Sequence, residues 1–208
     1  MTRRSNQVQI VWGHKTPQID QKLDDIVPWV RQSGQPYYDI FLRGNDIDAI
    51  VSRWLQRRSS EISLRRTRLL IHGDRIAGGY IALAGRELPG CRQADLLDLA
   101  REMGEHSYSD LRARMDDLSD LFAPVEEHDF YLSKIGVMPR IEDQEMERNL
   151  MDDCLRRASQ GGFGRVRADV PEHLEDQRGF FESYGFRPIY RGKTKESNLR
   201  YLAMVCDV

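Results

Sequence analysis

The stretch "YLSKIGVMPRIEDQEMERNLM", Tyr131 to Met151, decides the fold. Its first part is a mostly apolar run that predicts a strand over 130–137, ended by Pro139, which cannot donate to a sheet ladder. From Gln144 the pattern changes. Met146, Leu150, Met151, Cys154 and Leu155 recur at helical spacing. They predict a helix over 144–158 with one face on a sheet, stopped at Gly161-Gly162. A strand running into a helix N-terminus is a common seat for a phosphate, because free N–H groups point outward there. Such turns are usually written in glycine and basic residues, whereas this one carries Glu142, Asp143 and Glu145. Carboxylates also suit a helix start in their own right, Asp143 as a cap and Glu145 in the first turn.

Downstream, 165–170 reads as a strand and 174–184 as a short helix ended by Gly185. Segments 186–190 and 199–205 make a final antiparallel pair. Upstream, 8–12 is a first strand. A helix is expected from Thr16-Pro17, with Ile19, Leu23, Ile26, Val27 and Val30 on one side, and Pro28 should bend or split it. A second helix over 46–58 carries Ile47, Ile50, Val51, Trp54 and Leu55 on one face. "RLLIHGDRIAGGYIALA" reads as a hairpin, with Gly73 supplying the positive φ of its turn. Gly78-Gly79 marks a bulge or a close backbone approach. Segment 86–124 is helical in pattern, with Leu96, Leu97, Leu99 and Ala100 as one stripe and Leu111, Met115, Leu118, Leu121 and Phe122 as another. It reads as a two-helix insertion. The order is β, α, α, β, β, (α, α), β, α, β, α, β, β.

The 208 residues, 40% hydrophobic and 31% charged, suit one domain over 8–208 behind a flexible tail at 1–7. No apolar run reaches the roughly 18–20 residues of a membrane span, and "MTRRSNQ" lacks the apolar stretch of a secretory signal. Cys91, Cys154 and Cys206 share no metal-ligand spacing and read as reduced thiols of a cytoplasmic protein. The net charge of -2 argues against a general polyanion binder. Charge is unevenly placed: 86–129 holds five arginines and twelve acidic residues, whereas 53–68 holds six arginines against Glu61 alone. These read as two solvated faces, or as patches that meet different partners.

A second motif, "GFFESYGFRPI" at Gly179–Ile189, completes a resemblance to the GNAT superfamily of N-acyltransferases. In that family a strand ending in Val-x-Pro leads through a glycine-rich turn into a long helix, and Val137 and Pro139 match. Phe180, Glu182, Gly185 and Phe186 match the family's Phe-Tyr-Glu-Lys-x-Gly-Phe signature. The resemblance implies an α/β fold: a mixed, mostly antiparallel sheet of six or seven strands, splayed between its fourth and fifth strands, with 86–124 as a helical acidic insertion. It implies an enzyme that moves an acyl group from a pantetheine thioester, acetyl-CoA or another acyl-CoA, to an amine. The arm would lie in the splayed gap along the backbone of Ile135, Gly136 and Val137, whose N–H polarises the thioester carbonyl. Arg140, Asp143, Gln144, Glu145 and Met146 would meet the rest of the donor, and Phe181 stands where the family often has its tyrosine acid. With no hydroxyl there, Tyr184, one turn on, and Ser133 are the candidate acids. His128, just before the fourth strand, is the candidate base.

The family's turn glycines fall on Asp143 and Glu145. Three readings stay open. Main-chain N–H groups bind coenzyme A despite the carboxylates, the donor is an acyl-phosphopantetheine on an acyl carrier protein, or the domain is inactive and structural. The expected partners are a small-molecule or peptide amine, that carrier protein where one is used, and a second copy in a homodimer. No metal, nucleic acid or membrane is expected.

Overall fold

The computed structural model describes residues 8–103, 108–138 and 144–208. Seven strands form one sheet in the order β1-β2-β3-β4-β5-β7-β6. They are β1 (Val8–Trp12), β2 (Thr67–His72), β3 (Arg75–Ala84), β4 (Asp129–Val137), β5 (Arg165–Pro171), β6 (Arg187–Lys193) and β7 (Arg200–Asp207). All neighbours are antiparallel except β4 and β5, which run parallel. The β2–β3 turn has Gly73 at φ +65°, as its sequence predicts.

Between β1 and β2 lie a 3-10 turn at Ile19–Lys22 and the helices α1 (Leu23–Ser33), α2 (Tyr37–Phe41) and α3 (Ile47–Gln56). The helix starts at Leu23 rather than at Pro17, and α1 runs through Pro28 unbroken. Ile26, Val27, Trp29 and Val30 around that proline are all buried, and their packing offsets the missing bond. α2 is too short for a periodic signal. Asp46 caps α3 by accepting from Ala49 N at 3.1 Å.

The 86–124 segment holds α4 (Leu88–Met103) and α5 (Tyr108–Leu118). Its buried face differs from the expected stripe. Leu97 is 51% exposed and Met115 41%, whereas Asp95 and Asp98 are buried beside Leu99. The aspartates go inward because donors from 53–61 await them. Asp98 accepts from Arg53 Nε at 2.9 Å and Trp54 Nε1 at 3.0 Å, and it also pairs with Arg57. Arg66 pairs with Glu87 at 3.1 Å and Arg53 with Glu102. Part of the acidic insertion therefore answers part of the arginine-rich stretch: Glu87, Asp98 and Glu102 take up Arg66, Arg57 and Arg53.

The opposite face of the sheet is covered by α6 (Gln144–Gln160) and α7 (Glu175–Ser183). Met146, Leu150, Met151, Cys154 and Phe181 pack there on Phe130, Leu132, Val166 and Ala168. Each such side chain is worth about 1.5–3 kcal/mol when fully buried. Asp153 of α6 accepts from Tyr80 Oη of β3 at 2.7 Å and lies 3.3 Å from Arg68 Nε of β2, which fixes the helix on the sheet. After α7, Gly185 turns the chain at φ +82° into β6. The three cysteines are free and buried. Among the described residues no helix is long and apolar enough to cross a membrane.

Candidate active site at the opening between β4 and β5

The β4–β5 ladder is short. Asp129, Phe130, Tyr131 and Leu132 pair with Arg165, Val166, Arg167 and Ala168, and there it stops. From Lys134 to Val137, β4 continues to pair with β3 only. The cause lies one residue past the last pair. Ile81 and Ala82 of β3 are consecutive, yet they face Lys134 and Leu132, so Ser133 is an extra residue bulged out of β4. A bulge bends its strand and increases its twist, and this one turns β4 away from β5. The irregularity of β4 is thus at Ser133, and Gly136 pairs regularly with Gly79. A Cβ placed on Gly136 would meet no atom within 4 Å, whereas one on Gly78, opposite Val137, would lie 2.4 Å from Gly136 O. The two strands are pressed together at Gly78, and space is open over Gly136.

The bulge also changes which side chains share a face. Plain alternation groups Tyr131, Ser133 and Ile135 and sends Lys134 to the other side. In the structure Ser133 and Lys134 both line a cavity with Tyr131, while Val137 and Ile135 pack on the α6-side core, Ile135 also reaching the cavity wall. The cavity, of about 330 Å³, reaches from the β4–β5 opening to the underside of α4 and α5. Its polar lining is a network. Ser133 Oγ donates to Glu61, whose other oxygen receives Arg92 Nε at 3.0 Å. Arg92 Nη2 donates to Tyr131 Oη at 2.9 Å, and Tyr131 Oη donates to Asp169 Oδ2 at 3.0 Å. Asp169 Oδ1 lies 2.8 Å from Nη2 of the fully buried Arg167. Lys134 Nζ lies 3.3 Å from Ser133 Oγ and 5.2 Å from the centre of the Tyr38 ring.

Burial drives the charges of this network. It pushes the Lys134 ammonium below the usual lysine range, against the pull of Glu61. For Glu61 burial acts upward but is outweighed by Arg92, Lys134 and the Ser133 hydrogen bond, which hold the carboxyl below its usual range. Burial holds Tyr131 protonated well above ordinary phenol values, and Asp169 adds to this. Asp169 is itself pushed up by burial, against Arg167 and Arg92. Asp95 is pushed up to about 7 by burial, with Glu61 and Asp98 adding to it and hydrogen bonds from Glu61 N and Ser60 Oγ opposing it.

Of the residues singled out from sequence, Ser133, Ile135 and Phe181 line the cavity, and Ile135, Gly136 and Val137 form the edge beyond the ladder. Met146 is buried beneath the first turn of α6, where Glu145 is exposed. Arg140, Asp143 and the Gln144 side chain lie outside the described residues, as does Glu142. Tyr184 caps α7 on the far side of the sheet, its Oη donating to Arg148 O at 3.3 Å. His128 is exposed in the turn before β4. Neither Tyr184 nor His128 lines the cavity. Glu61, Arg92, Asp95, Lys134 and Asp169 are additions. The lone acid among six arginines was a signal for Glu61, and Arg167 and Asp169, alternating with Val166, Ala168 and Val170 on a buried strand, were a signal for that pair.

No protein-family model and no curated protein matches the sequence. Solved structures do match the fold. An N-acetyltransferase from Staphylococcus aureus Mu50 superposes with a TM-score of 0.69 at 12% identity, over 95% of this chain and 100% of that one. The ribosomal-protein-S18-alanine N-acetyltransferase from Escherichia coli gives 0.54 at 11%, over 97% and 94%. Arabidopsis thaliana Naa50, solved in complex with the bisubstrate analogue CoA-Ac-MVNAL, gives 0.53 at 13%, over 97% and 99%. At these identities the likeness is one of fold.

Proposed function

Because the chain has the fold of the GNAT N-acetyltransferases, we propose that it transfers an acyl group from acyl-CoA, with acetyl-CoA as the simplest donor, to an amine. One observation carries the reading: β4 leaves β5 after Leu132, directly beside a cavity with a buried charged network. A pantetheine arm is an extended amide chain, and the free edge of Ile135, Gly136 and Val137 is what such a chain adds to. A main-chain N–H on that edge would polarise the thioester carbonyl, a rigid donor in a dry site. Met146 and Phe181 would wall the arm, and the turn with Arg140, Asp143, Gln144 and Glu145 would meet what lies beyond it.

The amine nitrogen attacks the thioester carbon, the C–S bond breaks, the nitrogen gives up a proton and the thiolate takes one. For the proton from nitrogen we assign Glu61 and Asp95, acting directly or through water in the cavity. For the thiolate, Ser133 is the hydroxyl on the right strand. Tyr184, with its hydroxyl engaged by Arg148 on the other side of the sheet, and the exposed His128 have no such support. A carrier-borne donor has less support as well, because three arginines of the basic stretch at 53–68, Arg53, Arg57 and Arg66, are paired within the chain to Asp98, Glu102 and Glu87.

The test is thiol release from one acyl group presented on coenzyme A, on free pantetheine and on a carrier protein, with a panel of amines. Amine-dependent release from acetyl-CoA is expected. Release only from the carrier, or no response of the tryptophan fluorescence to acetyl-CoA or desulfo-acetyl-CoA, would overturn the reading.

A further inference from the structure

Among the described residues, the carboxylates lining the cavity each have an ion-pair partner, with one exception. Glu61 has Arg92 and Lys134, Asp169 has Arg167, and Asp98, behind the lining, has Arg53 and Arg57. Asp95 lines the same cavity, is 7% exposed, and has no ion-pair partner among the described residues, Lys134 acting on it only at longer range. Its Oδ2 accepts from Ser60 Oγ at 3.1 Å and Glu61 N at 2.9 Å, and its Oδ1 has no hydrogen-bond donor among the described residues. A buried carboxylate left without a counter-charge is costly, so a site that keeps one has a use for a cation.

Apart from Ser33, Gln93, Ser133 and Gln177, the rest of the lining is mostly aromatic and aliphatic. Tyr37 of α2, Phe122 after α5 and Tyr201 of β7 stack edge to face, with centroids 5.3 and 5.2 Å apart. Trp54, Leu96 and Leu118 continue that wall. α4 and α5 cover the cavity on the side away from the sheet, α1 and α2 close another side, and the volume of about 330 Å³ lies at the small end of the range for small-molecule pockets.

We propose that the cavity is the acceptor site for a small, largely apolar primary monoamine, with Asp95 as the counter-charge of its ammonium group and the α4–α5 insertion as the wall that excludes a polypeptide end. This rests on the acyltransferase reading and narrows it. One unmatched carboxylate answers one ammonium. A polyamine brings more cations than the site can pair, and a peptide brings backbone amides that an aromatic wall leaves unsatisfied. Rings such as Tyr38, already facing Lys134, also favour a single desolvated cation.

The experiment is calorimetric titration of the full chain at pH 8 with 2-phenylethylamine, hexylamine, 2-phenylethanol, spermidine and a pentapeptide with a free N-terminus, followed by thiol release from acetyl-CoA with each. The two monoamines are expected to bind at least tenfold tighter than the alcohol, spermidine or the peptide. Asp95→Asn is expected to reduce the preference for 2-phenylethylamine over 2-phenylethanol to under threefold while leaving the alcohol's affinity unchanged, which separates loss of charge from loss of fold. Equal binding of amine and alcohol, or tightest binding of spermidine or peptide, would overturn the inference. Thiol release driven by the peptide alone would overturn it and leave acyl transfer standing. Monoamine binding without any thiol release would overturn acyl transfer and leave the monoamine pocket standing.

Discussion

Asp95→Asn removes a charge while keeping a shape, and its effect on stability has a definite sign. The amide oxygen of the variant can still accept from Ser60 Oγ and Glu61 N, as Asp95 Oδ2 does at 3.1 and 2.9 Å. In the folded chain burial lifts the Asp95 carboxyl from 3.8 to about 7. The folded state therefore holds the proton more tightly than the unfolded state. The stabilisation that follows is fully present below about pH 4 and is lost as pH rises to about 7. A separation of about three units at ~1.4 kcal/mol each sets an upper bound near 4 kcal/mol, and relaxation around the ionised group brings the expected value to roughly 2–4. Urea unfolding of wild type and variant, followed by tryptophan fluorescence at pH 4, 5.5, 7 and 8.5, reads this directly. Groups common to both proteins cancel in the difference, apart from the coupled Glu61 and Asp98. The variant should gain on wild type steadily between pH 4 and 7 and then hold its lead. Two parallel stability profiles would show that Asp95 is not held protonated and would undo its description as an uncompensated buried acid.

Gly136→Val should leave the circular dichroism spectrum unchanged, since a Cβ there meets nothing within 4 Å, yet weaken acetyl-CoA binding at least tenfold by calorimetry; unchanged affinity would remove Gly136 from the donor site. Glu61→Gln strands Arg92 and Lys134 without their carboxylate. Urea unfolding at pH 7 should show a loss of roughly 2–4 kcal/mol, below the value for a fully buried pair because Arg92 is partly exposed, and a loss under 0.5 would mean that solvent already screens the pair. Tyr184→Phe should keep kcat within about threefold, its hydroxyl being tied to Arg148 O. A hundredfold fall would instead make Tyr184 the acid for the thiolate.

What was legible in the sequence was local. Pro139 ending a strand, Met146 to Leu155 at helical spacing and Gly185 after a short helix are each set by a few neighbouring residues, and the elements stand where those residues imply. The bulge at Ser133 was not legible, because "YLSKIGV" suits a regular strand equally well and only the pairing with Ile81 and Ala82 reveals the extra residue. The buried aspartates of α4 were missed for a related reason. An Asp95 or Asp98 facing inward makes sense only beside Ser60, Glu61, Arg53 and Arg57, some forty residues upstream. Without those partners, hydropathy turns Leu97 inward, where the structure leaves it in solvent. Charge runs in the sequence say how much charge a segment carries, not what will answer it.

The extra residue in β4 separates construction from use. Removing Ser133 would leave every other β4 side chain on the face it already occupies, because Leu132 and Lys134 already stand opposite adjacent residues of β3. What would change is the direction of the strand end, now free to run beside Asp169 and Val170 and zip the sheet closed. The division of β4 side chains between the two faces of the sheet is thus independent of the extra residue.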